Sequence, residues 1–162
     1  VLENKEVLQK FASMTYNHKD MFYLGRGLDY AVAMEGSLKL KEISYIHTES
    51  YAAGELKHGT IALIEEGTVV IALSTQGKLK DKMISNIREV TTRGANVLGF
   101  ITKENKCVED VVNYVFTIPD TIDLLTPILS VVPLQLFSYY VAVQRGCDVD
   151  KPRNLAKSVT VE

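Results

Sequence analysis

The run Thr68-Val69-Val70-Ile71-Ala72-Leu73 is apolar at every position after the first and rich in β-branched residues. A strand with one wet face alternates apolar and polar residues, so an unbroken run of this length predicts a strand buried on both faces. Met21-Phe22-Tyr23-Leu24, Asn96 to Ile101 and Tyr114 to Ile118 read in the same way, and Ile46 to Tyr51 is a further short strand. Helical patterns fall between them. Lys5 to Tyr16 places Val7, Leu8, Phe11 and Ala12 at helical spacing, and helices are expected over Tyr30–Tyr45, Leu79–Thr92 and Leu124–Gln144. Ala52 to Lys57 reads as a helical turn. The last helix is expected to break or kink near Pro127 and Pro133 and to stop at Gly146. Strands alternating with helices predict an α/β fold, a parallel sheet covered on both faces.

The 162 residues, 46% hydrophobic, suffice for one domain with a real core. No internal repeat or linker divides the chain, which reads as a globular body over 1–149 and a polar tail over 150–162. A formal net charge of −2 gives no electrostatic footprint for nucleic acid or an acidic membrane. The most apolar segment, Ile122 to Val143, is interrupted by Asp123, Pro127, Pro133 and Gln135, so no membrane span is expected. Cys107 and Cys147 lack metal-ligand spacing and suggest no disulfide framework, which makes a reducing cytoplasm the expected setting. The absence of a methionine before Val1 suggests a piece of a longer protein.

Within the second predicted helix, Glu35, Lys39 and Glu42 fall at i, i+4 and i+7, on one side. Ala31, Met34 and Leu38 border this stripe on one edge, and Val32, Leu40 and Ile43 on the other. Ser37, Lys41 and Ser44 occupy the face best suited to water. The stripe is therefore expected to be embedded in the buried side, and embedded charges are enriched at functional sites. An exposed Glu-Lys-Glu ladder is the alternative. His58 beside Gly59 reads as a loop or capping residue, Lys157 as a solvated tail residue, and His18 and His47 have no partner pattern.

Gly25-Arg26-Gly27 follows a strand but lacks the full dinucleotide glycine pattern and the downstream acidic residue, so no cofactor is expected there. Ser74-Thr75-Gln76-Gly77 sits at a strand's carboxyl end, where α/β sheets bind ligands. Ser74 and Thr75 are its only hydroxyl residues, and it reads as a structural turn.

Three strings carry a family resemblance: Ala33-Met34-Glu35-Gly36-Ser37-Leu38-Lys39-Leu40-Lys41-Glu42, Gly54-Glu55-Leu56-Lys57-His58-Gly59, and Asp150 to Glu162, which contains Leu155-Ala156-Lys157-Ser158. In this order, over nearly the whole chain, they resemble the glutamine–fructose-6-phosphate aminotransferase (glucosamine-6-phosphate synthase) family. The resemblance implies a sugar isomerase (SIS) domain of flavodoxin-like topology, a three-layer α/β/α sandwich with a five-stranded parallel sheet, and the carboxyl-terminal half of an isomerase unit. It implies that a glutaminase domain and a first SIS domain belong to the same polypeptide, and that the fragment alone is inactive. It further implies fructose 6-phosphate as substrate, glucosamine 6-phosphate as product, no cofactor or metal, and a homodimer. By resemblance, Lys157 forms a Schiff base, Glu42 moves a proton between C1 and C2, and Glu35 and Lys39 orient it. His58, reaching the neighbouring subunit, opens the sugar ring, and Ala156 contacts substrate. Thr60 stands where the family commonly has proline. The alternative is a regulatory SIS domain that binds a sugar phosphate without turnover. Such a module needs a serine-rich phosphate loop and not the Glu42, His58 and Lys157 set.

Overall fold

The computed structural model describes residues 1–154. Five strands, β1 (Asp20–Gly25), β2 (His47–Ala52), β3 (Val69–Ser74), β4 (Asn96–Thr102) and β5 (Tyr114–Ile118), form one sheet in the order β2-β1-β3-β4-β5, every pairing parallel. Four helices accompany them: α1 (Lys5–Thr15), α2 (Leu28–Ser44), α3 (Lys80–Thr91) and α4 (Thr126–Gln144). Side chains alternate across the pleat, so each apolar run feeds two cores. Met21, Tyr23, Val69, Ile71 and Leu73 pack with Leu8, Phe11, Val32, Leu40, Leu134 and Phe137 of α1, α2 and α4. Phe22, Leu24, Val70 and Ala72 pack on the other face with Met83, Ile87 and Val90 of α3 and with Leu56, Ile64 and Val108. The expected three-layer sandwich is what these residues build.

The second face is covered more thinly. Besides α3 it carries short 3-10 segments, Leu56–His58, Thr60–Leu63 and Lys103–Val111, the last making the β4-to-β5 crossover where no helix was expected. On the first face, α2 and α4 lie against each other. A Cβ at Gly36 would stand 2.8 Å from Leu134 Cδ1 and 3.0 Å from Tyr23 Cε1, so glycine sets the depth at which α2 meets both α4 and the sheet.

The expected break in α4 is corrected. The helix runs unbroken from Thr126 to Gln144. Pro127 occupies the first turn, where its missing N–H would have no helical partner, and Pro133 is buried within the packed helix. By length and composition alone Asp123–Gln144 could cross a bilayer, since its 22 residues contain an 18-residue window of mean hydropathy 1.5. Leu134, Phe137 and Val141 of this segment nevertheless belong to the first core, packed beside α1 and α2.

Candidate functional site

The helix carrying the charged stripe begins where the chain turns sharply after β1. Gly27 has φ +58°, and a Cβ at Gly25 would stand 2.5 Å from the Asp29 carbonyl group, so the sequence Gly-Arg-Gly is dictated by close approach. The same turn holds the loop after β3. Asp29, 2% exposed, accepts hydrogen bonds from the Thr75 N–H (2.7 Å) and the Thr75 hydroxyl (2.5 Å). Burial pushes the Asp29 carboxyl up from the usual range, and the two Thr75 donors oppose that rise. With its amide oxygen turned towards the helix, Gln76 accepts from the N–H groups of Leu28 (2.8 Å) and Asp29 (3.1 Å). Both N–H groups lie at the helix amino terminus, where an anion would bind, and that of Asp29 is shared with the Arg26 carbonyl at 3.2 Å. The Asn105 side chain donates to the Ser74 carbonyl at 2.8 Å. The loop Ser74–Gly77 is thus tied to its own framework on two sides. Asp29→Ala would leave the Thr75 donors unpaired and should lower the folding free energy by about 1–3 kcal/mol, measured by chemical denaturation of this chain.

At the other end of α2 the stripe forms a triad. Lys39 Nζ lies 2.7 Å from Glu42 Oε2 and 3.7 Å from Glu35 Oε1. The bond to Glu42, with the charges of both carboxylates, raises the Lys39 pKa and keeps the amine cationic. Glu42 sits in the last turn, where the helix dipole repels negative charge and a neighbouring ammonium offsets that repulsion.

The expected embedding is corrected. The side chains of Glu35, Lys39 and Glu42 are 39%, 34% and 23% exposed. Ser37 and Ser44, assigned to the water face, are buried. Their hydroxyls find partners: Ser37 donates to Thr48 Oγ1, Thr48 donates to the Ser37 carbonyl, and Ser44 donates to the Leu40 carbonyl. Hydroxyls satisfied in this way enter a core at low cost, whereas three charges do not. The stripe instead borders an outward surface shared with Met34 and Leu38, which are 45% and 44% exposed.

His58 ends a 3-10 turn and is exposed, its N–H bonded to the Glu55 carbonyl at 3.0 Å. The neighbouring Leu56 packs in the second core, across the sheet from α2. No ion pair joins His58 to the triad among the described residues. Ala156 and Lys157 lie outside the described residues. His18 and His47 line a cleft of about 570 Å³ with Asp20, Glu49 and Glu65, and His47 Nε2 stands 3.6 Å from Glu49 Oε1. No triad residue lines this cleft.

A protein-family model described as SIS domain matches residues 14–145. The chain is 70% identical, over its full length, to a glutamine–fructose-6-phosphate aminotransferase [isomerizing] of Clostridium acetobutylicum and 69% identical to that of Caldanaerobacter subterraneus subsp. tengcongensis. It spans 27% of the length of each of these relatives. Among solved structures it is similar to the C-terminal domain of glucosamine-fructose-6-phosphate aminotransferase from Francisella tularensis. That likeness has a TM-score of 0.85 at 39% identity and covers 93% of this chain and 42% of the other. A glucosamine-6-phosphate deaminase from Thermotoga maritima superposes with a TM-score of 0.74 at 28% identity, covering 97% of this chain and 46% of its own.

Proposed function

We propose, from the premise that this chain belongs to the SIS domain family, that it is the carboxyl-terminal half of the isomerase unit of a glutamine–fructose-6-phosphate aminotransferase. The observation that carries the reading is the Glu35–Lys39–Glu42 triad, held at 2.7 and 3.7 Å on a chain 70% identical to such an enzyme.

The chemistry asks for these residue types. Converting a 2-keto sugar to a 2-amino aldose requires ring opening, replacement of the C2 oxygen by nitrogen, and movement of a proton from C1 to C2. The Lys157 amine attacks C2 of the open sugar, expelling water and leaving an imine. Ammonia from glutamine then displaces the lysine, restoring its free amine. A carboxylate able to reach both carbons takes the C1 proton and returns it to C2, and Glu42 has that role. Lys39 positions Glu42 through its 2.7 Å bond, and Glu35 steadies Lys39 from the other side. His58 exchanges a proton between the ring oxygen and O2, serving the site of a neighbouring subunit in a homodimer. Its place across the sheet from the triad supports service to another copy. Ala156 contacts the sugar beside Lys157.

Half-exposed charges next to exposed Met34 and Leu38 suit a surface that another part of the polypeptide covers. Gln76 occupies the α2 amino terminus, and on this reading the phosphate is held by the remainder of the enzyme. The isolated chain should therefore bind fructose 6-phosphate no more tightly than about millimolar, near −4 kcal/mol, and make no aminosugar. Titration calorimetry checks this. Micromolar binding by the chain alone would contradict the shared-site reading and favour a regulatory sugar-phosphate module.

A further inference from the structure

Among the described residues only Tyr45 and Asn154 have positive φ without being glycine, at 62° and 61°. Asparagine tolerates this conformation through its short polar side chain, but tyrosine gains nothing locally from it. Tyr45 also caps α2, its N–H bonding the Lys41 carbonyl at 3.2 Å, a place where glycine is the usual solution. The tyrosine side chain must then do something that glycine could not. Its hydroxyl oxygen accepts the Arg153 backbone N–H at 3.0 Å, and the Arg153 guanidinium carbon lies 4.1 Å from the ring centroid. The arrangement pairs a hydrogen bond with a cation–π contact on one residue 108 positions away in sequence. Between them Asp148 Oδ1 accepts the N–H groups of Asp150 and Lys151, at 3.0 and 3.1 Å, turning the chain back towards α2.

We propose that Tyr45 is a positioning residue for the isomerase reaction. It fastens the chain at Arg153 to the end of the helix that carries Glu42, and so sets where Lys157 can stand relative to that carboxylate. The inference rests on the proposed function for the roles of Lys157 and Glu42, but the fastening itself does not. Lys157 follows Arg153 by four positions, a reach of about 14 Å at most. Without the fastening, the nearest regular element before Lys157 is α4, ending thirteen residues earlier at Gln144. Effective concentration falls roughly as the −3/2 power of tether length, so release should cost about six-fold in the supply of Lys157 to the sugar. Any loss of orientation adds to that.

The test uses the complete enzyme with Tyr45→Gly, which removes both contacts and places at φ 62° the residue that suits it. The melting temperature should hold or rise, since the cap is relieved of strain. The kcat for glucosamine 6-phosphate synthesis should fall about six-fold or more, with KM for fructose 6-phosphate changing less than kcat. Trypsin cleavage after Arg153, followed by mass spectrometry, should accelerate by a similar factor. Tyr45→Phe keeps the ring and should fall between wild type and Tyr45→Gly in both assays. Equal cleavage rates in wild type and Tyr45→Gly would show that no fastening exists in solution. Faster cleavage with unchanged kcat would show that the fastening is real but does not position Lys157. A fully active Lys157→Arg enzyme would remove the reading on which the inference rests, and the positioning role with it.

Discussion

Glu42→Gln in the complete enzyme should lower turnover about 10²-fold or more while leaving fructose 6-phosphate binding nearly unchanged. The amide keeps the shape of the carboxylate and can still accept a hydrogen bond from Lys39, but it cannot take a proton from carbon at useful rates. The stability effect should be small. The Lys39–Glu42 pair is one-quarter to one-third exposed, and pairs open to solvent contribute about 0–1 kcal/mol. The two quantities therefore separate. A catalytic base predicts slow turnover by a protein of nearly unchanged melting temperature. A structural ion-pair member predicts the reverse, a fall in melting temperature with normal turnover per folded molecule. Steady-state kinetics and thermal melting of the same preparation distinguish them, and the second pattern would end the proton-shuttle role.

The sheet was legible because burial on both faces leaves a local trace. Thr68 to Leu73 could be recognised as a strand buried on both faces from six consecutive letters, and β3 is buried at every position. Partnerships between distant residues left no such trace. Ser37 and Ser44 belong to the core only because Thr48 and the Leu40 carbonyl meet their hydroxyls, and Thr48 lies on another element. That misplaced the faces of α2 and, with them, the depth of the charged stripe. The composition of the stripe was readable from spacing, and its pairing geometry followed. Asp29 carried a weak signal, an acid in the first turn after Gly-Arg-Gly, yet its tie to Thr75 spans 46 positions. Tyr45 carried none, since nothing in its neighbours announces a left-handed tyrosine. The 3-10 crossover Lys103–Val111 lacks the periodicity that marks an α-helix, so it passed unread.

Lys157→Ala and Lys157→Arg should both abolish glucosamine 6-phosphate synthesis in the complete enzyme. Alanine has no amine. Arginine keeps the charge but does not give up a proton to form an imine, so it separates covalent chemistry from simple electrostatics. Glutamine hydrolysis should survive in part, because that reaction belongs to the glutaminase domain. Borohydride added to wild-type enzyme with fructose 6-phosphate should reduce the imine to a secondary amine, leaving one sugar phosphate attached at Lys157. Peptide mass spectrometry would locate it, and neither variant should carry it. A lysine in a solvated tail predicts the opposite on every count: silent substitutions and no adduct. Full activity in Lys157→Arg together with an unmodified Lys157 would exclude the covalent role. The alternating Val159-Thr160-Val161 that follows would then have to be explained by packing against the rest of the enzyme, not by chemistry at the sugar.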